Sequence, residues 1–206
     1  MKFPQQGLYA ITQTADKSIQ QILLEVEAVL KGGAVVLQYR DKESTNKNTL
    51  ASLLLKLCHA YQVPLLINDD IELALQVGAD GVHLGRDDGD IAIARTKLGP
   101  NAIIGISCYN DVERALSMQA LGADYVAFGR FFPSNSKPLA APAQIETLQK
   151  AKQTLYIPIV AIGGILPENA GGLLAAGADL LAVIGGVFDK QDPEIAAKEF
   201  QQMFAT

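Results

Sequence analysis

The segment LLINDDIELALQVGADGVHLGRDD, residues 65–88, holds the pattern that decides the fold. It begins with a short apolar run, continues with a stretch of helical period and ends with a second apolar run, GVHL. Continuous apolar runs are typical of strands in a parallel sheet that is covered on both faces. The segment therefore predicts a βαβ unit, in which a helix joins two parallel strands.

The same unit recurs along the whole chain. The predicted strands are residues 8–12, 34–39, 64–67, 81–84, 103–106, 125–128, 159–162 and 180–184. The predicted helices lie near residues 17–31, 50–61, 71–77, 91–98, 112–121, 143–152 and 194–204. One helix-to-strand joint occurs three times, as VGADGVHLG, LGADYVAFG and AGADLLAVIGG. Eight such β-then-α units close most naturally into one (β/α)₈ TIM barrel over residues 1–206, with the active site at the carboxyl ends of the strands. An open doubly wound sheet is the alternative, and it is less favoured because no GxGxxG follows the first strand.

Composition excludes several classes of protein. With 206 residues, 49% hydrophobic and 19% charged, the chain suits one soluble α/β domain and is too apolar for disorder. A net charge of -5 argues against a nucleic-acid partner. Cys58 and Cys108 lack disulfide or zinc spacing. The N-terminus lacks a signal-peptide core, and no apolar run approaches the roughly 20 residues that span a bilayer. We therefore expect a cytoplasmic protein with no membrane partner.

Carboxylates follow two consecutive predicted strands. Asp69 and Asp70 come after one strand, and Asp87 and Asp88 come after the next. The carboxyl ends of parallel strands meet at one rim, where α/β folds bind ligands. Crowded carboxylates repel each other unless a pKa rises or a cation intervenes, and oxygen ligands favour Mg²⁺. These residues also suit helix caps and solvated loops, so the carboxylates alone leave both interpretations open.

The second strand ends in QYRDK. Because side chains alternate along a strand, Gln38, Arg40 and Lys42 project to one side, and Tyr39 and Asp41 project to the other. Three long donors suit the oxygens of a phosphate or diphosphate and the ring of a heterocycle. A salt-bridged loop is the alternative.

Two kinds of loop suggest further phosphate contacts. The sixth strand is followed by Ser134, Asn135, Ser136 and Lys137. These residues suit a loop that binds an oxyanion, and they also suit an ordinary turn. The pairs Gly163-Gly164 and Gly185-Gly186 follow strands seven and eight, where barrels often bind phosphate through backbone N–H groups. Such glycines also serve simply to close tight turns.

The remaining polar candidates are few. Ser107, just beyond the fifth strand, can place a hydroxyl in the same mouth. His59 and His83 are interpreted as structural, and no Ser-His-Asp or Cys-His arrangement can be recognised. The charges expected in this mouth can be added: a Mg²⁺ ion and the side chains of Arg40, Lys42 and Lys137 are positive, and two carboxylates that bind the metal are negative. The net positive charge roughly offsets that of a diphosphate. The pattern therefore indicates a site for releasing diphosphate.

Seven motifs together resemble one family. They are LQYRDK at Leu37, INDD at Ile67, GADGVHLGRDD at Gly78, GISCYN at Gly105, FPSNSKP at Phe132, AIGGI at Ala161 and AVIGG at Ala182. Taken together, they make the chain similar to the thiamine-phosphate synthases from end to end. That family joins 4-amino-2-methyl-5-hydroxymethylpyrimidine diphosphate (the pyrimidine diphosphate) to a thiazole monophosphate (the thiazole phosphate). The resemblance implies a (β/α)₈ barrel, Mg²⁺ and a dissociative transfer in which diphosphate leaves first.

The resemblance also implies roles for particular residues. The pyrimidine diphosphate would be bound by Gln38, Tyr39, Arg40, Asp41, Lys42, Asn68, Ser107 and Lys137. The thiazole phosphate would be bound by Ser134, Asn135, Ser136, Gly164, Ile184 and Gly185. Asp69 and Asp88 would hold Mg²⁺, and Arg40, Lys42 and Lys137 would be catalytic.

The sequence departs from the family at a few positions. Ser134 and Ser136 stand where Thr is common, Gly185 where Ser is usual, and Tyr109 where many relatives have His. A thiazole tautomerase is the alternative enzyme, and a non-catalytic phosphate-ligand binding protein is the alternative from another class. The expected partners are the small-molecule substrates. The oligomeric state is left open, with a homodimer as one candidate assembly.

Overall fold

Eight parallel strands form a closed barrel in a computed structural model that describes residues 1–41, 47–85, 90–133 and 141–205. The strands are β1 Gly7–Ile11, β2 Val36–Tyr39, β3 Leu65–Asn68, β4 Gly81–Leu84, β5 Ile103–Tyr109, β6 Tyr125–Gly129, β7 Ile159–Ile162 and β8 Leu180–Val183. Each strand pairs with the next along the chain, and β1 pairs with β8. The predicted (β/α)₈ TIM barrel is confirmed, and the open doubly wound sheet is excluded.

Helices connect the strands around the outside of the barrel. They are α1 Ile19–Lys31, α2 Lys47–Ala60, α3 Ile71–Val77, α4 Ile91–Leu98, α5 Val112–Ala120, α6 Ile145–Thr154, α7 Pro167–Ala175, α8 Gly185–Phe188 and α9 Pro193–Gln202. Two differences from the sequence prediction concern the site. Strand β5 continues to Tyr109, so Ser107 lies inside the strand and not beyond it. Helix α7 lies in a stretch to which the pattern assigned no bounds. Among the described residues, no helix combines the length and the apolar character that a membrane span requires.

The threefold repeated joint has a structural role at the amino ends of the strands. Each repeat carries an aspartate just before a strand, and its carboxylate accepts the backbone N–H of a residue at or near the start of the preceding strand. The pairs are Asp80 with Leu65 (2.9 Å), Asp124 with Ile104 (2.7 Å) and Asp179 with Ile159 (2.9 Å). The repeat therefore fixes strand entry, at the end of the barrel opposite the predicted site.

The core has two layers. One lies between the barrel and the helices, and the other fills the barrel interior. The buried interior residues are Tyr9, Ile11, Val36, Leu66, Ile103, Tyr125, Ala127, Val160, Leu180 and Ala182. Because side chains fill the interior, a ligand can bind above this layer, at the carboxyl ends of the strands.

Candidate active site

A cavity of about 770 Å³ opens at the carboxyl ends of the strands. Several residues that the sequence predicts for the site lie on its wall: Gln38, Arg40, Asn68, Asp69, Ser107, Gly164, Ile184 and Gly185. These residues come from the ends of β2, β3, β5, β7 and β8, or directly follow them. The barrel therefore brings the two predicted ligand-binding groups together on one wall.

Other predicted residues lie elsewhere or outside the described part of the chain. Tyr39 and Asp41 are not on the described cavity wall. Tyr39 is only 2% exposed and packs in the layer between barrel and helices, where its hydroxyl donates to Asp41 Oδ2 (3.0 Å). The positions outside the described residues are Lys42, Asp87, Asp88, Ser134, Asn135, Ser136 and Lys137. What was expected of them stays a prediction.

Of the two aspartates after β3, one caps a helix and the other lines the cavity. Asp70 caps helix α3, because its carboxylate accepts the Leu73 N–H (2.8 Å). Asp69 lines the cavity in a left-handed backbone conformation (φ 63°), which aspartate tolerates better than most residues. Its Oδ2 accepts a hydrogen bond from Asn68 Nδ2 (2.6 Å). Its N–H donates to the His83 carbonyl (2.8 Å), which ties this turn to β4.

Thr12 holds the end of β2 in place. Its hydroxyl donates to the Arg40 carbonyl (3.1 Å) and accepts the Arg40 N–H (2.9 Å), while the Thr12 N–H donates to the Gln38 carbonyl (3.0 Å). Thr12 is 2% exposed and borders the cavity. Thr12 was not predicted as a site residue, although it is the last residue of the predicted first strand and strand ends meet at the rim of the barrel.

The glycine pair after β7 is required by protein packing. The Phe131 and Phe132 N–H groups donate to the carbonyls of Ile162 and Gly163 (3.1 and 3.0 Å), so the loop after β6 lies directly against the loop after β7. A Cβ on Gly163 would overlap Arg130, and one on Gly164 would overlap the Pro133 carbonyl oxygen. Close approach of a phosphate is therefore not needed to explain these glycines.

The pair after β8 is crowded in the same way. A Cβ on Gly185 would overlap the Asp189 carboxylate, and one on Gly186 would lie 2.5 Å from the Ile165 carbonyl oxygen. Both glycines border the cavity, where helix α8 begins. The Asp189 carboxylate therefore fills the space that a side chain at position 185 would need.

A chain of side-chain hydrogen bonds crosses the floor of the cavity. Gln38 Nε2 donates to the Tyr9 hydroxyl (2.7 Å), the Tyr9 and Tyr125 hydroxyls bond to each other (2.7 Å), and Tyr125 bonds to His83 Nδ1 (2.8 Å). His83 Nε2 bonds to Ser107 Oγ (2.9 Å). Burial raises the pKa of Tyr9 and of Tyr125 well above the ordinary tyrosine value. Both phenols therefore stay protonated at neutral pH.

His83 and two cations are residues that the sequence reasoning did not assign to the site. His83 lies on the cavity wall, although the sequence suggested a structural role, and His59 instead pairs with Asp80 on the outside (2.9 Å). Arg130 and Lys190 also border the cavity. Arg130 directly follows a strand and could have been found, whereas Lys190 follows a short helix and carries no such signal.

The charge of the described wall is slightly positive. Its cations are Arg40, Arg130 and Lys190, and its carboxylates are Asp69 and Asp189, which gives three positive against two negative charges. A cavity with this lining suits ligands that carry phosphate groups.

Comparison with known proteins identifies the family of this chain. A model of the thiamine monophosphate synthase family matches residues 8–187. The thiamine-phosphate synthase of Methylobacillus flagellatus is 52% identical over 203 residues, covering 98% of this chain and 96% of that protein. The thiamine-phosphate synthase of Nitrosococcus oceani is 52% identical over 200 residues, covering 96% and 92%.

Solved structures agree with this assignment. The thiamine phosphate pyrophosphorylase of Pyrococcus furiosus superposes with a TM-score of 0.87 at 34% identity, covering 98% of this chain and 96% of that one. The orotidine 5'-phosphate decarboxylase of Pyrococcus horikoshii, with a TM-score of 0.68 at 16% identity, shares the fold alone. On the family match, the identity to these relatives and the barrel, the chain belongs to the thiamine monophosphate synthase family.

Proposed function

We propose that this chain is a thiamine-phosphate synthase, a transferase that joins the pyrimidine diphosphate to the thiazole phosphate and releases diphosphate. The single observation that carries the proposal is the composite cavity wall in a chain of this family. One part of the wall offers Gln38, Arg40, Asn68 and Ser107, and another part offers the glycine-rich turns after β7 and β8. A reaction between two phosphorylated substrates needs two such neighbouring regions.

The pyrimidine diphosphate is assigned to the side of the cavity formed by β2, β3 and β5. The Arg40 guanidinium can pair with phosphate oxygens through two parallel N–H groups, and the amides of Gln38 and Asn68 can donate to or accept from an aminopyrimidine. Thr12 fixes the backbone at Arg40 through two hydrogen bonds. Lys42 and Lys137, which lie outside the described residues, are proposed as further cations for the diphosphate.

The thiazole phosphate is assigned to the turns after β7 and β8, at Gly164, Ile184 and Gly185. Lys190 lies on the same part of the wall and supplies a positive charge. Ser134, Asn135 and Ser136 remain proposed ligands from the loop after β6. The path of that loop supports their assignment, because Phe132 is hydrogen-bonded to Gly163 just before the loop leaves the described residues.

The residues at the end of β3 fit Mg²⁺. Asp69 supplies carboxylate oxygens at the cavity wall, and hard oxygen donors of this type suit Mg²⁺. Asn68 donates to one of those oxygens, which orients the carboxylate. We propose Asp69 and Asp88 as the ligands; bound there, Mg²⁺ would neutralise charge on the diphosphate.

The proposed chemistry asks the protein to bind and orient rather than to attack. The C–O bond to diphosphate breaks first, the electron-rich aminopyrimidine stabilises the resulting methylene cation, and the thiazole nitrogen then forms the new C–N bond. No protein nucleophile is required. Cys108, in β5, does not compete, because burial raises the pKa of its thiol to about 12. Electrostatic stabilisation and orientation would supply the rate enhancement.

Two measurements test the proposal. Purified protein is incubated with Mg²⁺ and both substrates, and diphosphate and thiamine phosphate are quantified with each substrate omitted in turn. We expect thiamine phosphate only in the complete mixture, together with one equivalent of diphosphate. A protein that only binds phosphate ligands would form no product.

A thiazole tautomerase remains the alternative activity. It needs no diphosphate site, so the cluster of Gln38, Arg40, Asn68 and Asp69 on the wall weighs against it. Interconversion of thiazole tautomers in the absence of pyrimidine diphosphate would favour it. A cytoplasmic location and a homodimer stay predictions.

A further inference from the structure

The hydrogen-bonded chain under the cavity links two residues that are assigned to the pyrimidine diphosphate. Gln38 on β2 stands at one end and Ser107 on β5 at the other, with Tyr9, Tyr125 and His83 between them. Both tyrosines are almost fully buried, at 1% and 0% exposure. Tyr125 does not border the cavity, so it can act on a substrate only through its neighbours in this hydrogen-bonded chain, whereas Tyr9 and His83 also lie on the cavity wall.

The barrel is built to let Tyr125 reach His83. In the strand register, Gly105 on β5 stands between its partners Tyr125 on β6 and His83 on β4. A Cβ on Gly105 would overlap the Tyr125 ring and its hydroxyl oxygen, so the ring occupies the space of the missing side chain. Phe3 stacks on the same ring, with centroids 4.0 Å apart and planes 7° from parallel. The position of the Tyr125 hydroxyl is therefore fixed by packing.

The order of donors and acceptors gives this chain of hydrogen bonds a direction. Gln38 Nε2 donates to the Tyr9 oxygen, and either phenol can donate in the contact between Tyr9 and Tyr125. The arrangement that gives the single Tyr9 proton an acceptor is the one in which Tyr9 donates to Tyr125. The single Tyr125 proton then goes to His83 Nδ1, which must be unprotonated. A neutral imidazole with a bare Nδ1 carries its proton on Nε2, and that proton goes to Ser107 Oγ. The Ser107 hydroxyl proton is thereby left to bond elsewhere.

We propose that this directed chain of hydrogen bonds from Gln38 to Ser107, here called the relay, makes Ser107 a hydrogen-bond donor toward the pyrimidine diphosphate and holds the Gln38 amide in one orientation. The proposal rests on the proposed function, because that function places both residues against this substrate. An aminopyrimidine presents a donor amino group beside an acceptor ring nitrogen, so recognition requires each protein group to offer the matching role. Tyr9, Tyr125 and His83 are positioning residues, and His83 is needed as one particular tautomer.

Nuclear magnetic resonance of the free enzyme tests the direction without any turnover. The chain has two histidines, so protein labelled with ¹⁵N-histidine gives two sets of ring signals, and a His59→Gln variant assigns them. We expect His83 to be neutral, with a protonated Nε2 and an unprotonated Nδ1. A proton on Nδ1 would mean that the relay runs in the opposite direction, and it would overturn the proposal even if the enzyme makes thiamine phosphate.

Kinetics test whether the relay acts through Ser107. Tyr125→Phe keeps the buried ring but removes the bridging hydroxyl, and should lower kcat/KM for the pyrimidine diphosphate roughly three- to tenfold. KM for the thiazole phosphate should not change. Tyr61→Phe is the matched control, because it removes a phenol hydroxyl that donates to Glu27 (3.0 Å) on the outside of the barrel.

A double-mutant cycle separates positioning from a general structural effect. In a Ser107→Ala background, Tyr125→Phe should cost no more than about twofold further, because the group it orients has gone. Losses that multiply, or an equal rise in both substrates' KM values, would contradict the proposal. Gly105→Ala keeps every hydroxyl but displaces the Tyr125 ring, and should change the His83 ¹⁵N shifts in the same direction as Tyr125→Phe. If the wild type makes no thiamine phosphate but His83 is the expected tautomer, the proposed function is refuted, whereas the direction of the hydrogen-bonded chain is confirmed.

Discussion

Replacing Gly164 by alanine tests how the two loops beside the cavity are held together. Gly164 has a left-handed backbone conformation (φ +62°), which costs a residue with a side chain about 1–2 kcal/mol. Its new Cβ would overlap the Pro133 carbonyl oxygen and lie 2.9 Å from Phe132 Cβ. Because a backbone oxygen cannot rotate away as a side-chain tip can, relief requires the loop to shift. Such overpacking typically costs about 1–3 kcal/mol.

The expected result is a loss of about 2–5 kcal/mol in the free energy of unfolding, the sum of those two terms. Where the loop shifts instead, stability falls less and kcat/KM for the thiazole phosphate falls, because Phe132 and Pro133 lead into Ser134–Lys137. Gly171→Ala is the matched control in the following helix. Gly171 is exposed, and nothing lies within 4 Å of its Cβ position, so alanine should stabilise by about 0.5–1 kcal/mol through helix propensity.

Urea denaturation of the wild type and both variants gives the free energies, and steady-state assays give kcat/KM for each substrate. A Gly164→Ala protein whose unfolding free energy and thiazole kinetics both match those of the wild type would show that the contact with Pro133 does not hold the two loops together. If both alanine variants lose stability equally, the backbone contact with Pro133 is not the cause.

Three further predictions follow from the contacts of the barrel. Burial raises the pKa of Tyr9 and Tyr125 above the ordinary 10.0, so their stabilising contribution is complete below that pH and is lost as pH rises toward the folded-state values. Urea denaturation should show the unfolding free energy falling by about 1.4 kcal/mol per pH unit for each phenol above pH about 10, with a shallower fall in Tyr9→Phe. Thr12→Val removes both hydrogen bonds to the Arg40 backbone and should cost about 1–3 kcal/mol of stability while raising KM for the pyrimidine diphosphate; an unchanged KM would separate Thr12 from substrate binding. Gly185→Ser must displace the Asp189 carboxylate, and we expect tighter binding of the thiazole phosphate, measured by calorimetry, with weaker binding contradicting this.

Much of the cavity wall could be predicted from strand ends. Gln38, Asn68 and Asp69 stand at or directly after the ends of short apolar runs, and parallel strands bring such positions to one rim. The different roles of Asp69 and Asp70 could not be predicted from the sequence, because the two residues are adjacent and equally acidic. Only the backbone conformation decides that Asp70 caps α3 while Asp69 borders the cavity.

The relay could not be predicted in the same way. Tyr9 and Tyr125 lie inside apolar strands, and which face of a strand is inward depends on the register that closes the barrel. His83 looked structural because its partners, Tyr125 and Ser107, are distant in sequence. Tyr39, next to Gln38, shows the same effect in reverse, since the alternation that directs Gln38 inward directs Tyr39 toward the helices.

The sequence correctly predicted that the two glycine pairs border the cavity, but phosphate binding explains only part of why glycine stands there. Their positions after β7 and β8 border the cavity. However, Gly163 and Gly164 are demanded by the neighbouring loop, whose backbone occupies the space of their side chains. A sequence shows that a residue is glycine but not which neighbour requires it.

The proposed transfer is tested most directly by the yield of thiamine phosphate and diphosphate from purified protein, Mg²⁺ and both substrates, compared between the wild type and Asp69→Asn. The wild type should give equal amounts of the two products. In the variant, kcat/KM should fall roughly a hundredfold, while the fold should persist because only one carboxylate oxygen has changed. Wild-type protein that yields no thiamine phosphate would refute the synthase activity, and an Asp69→Asn variant as active as the wild type would remove Asp69 from the reaction.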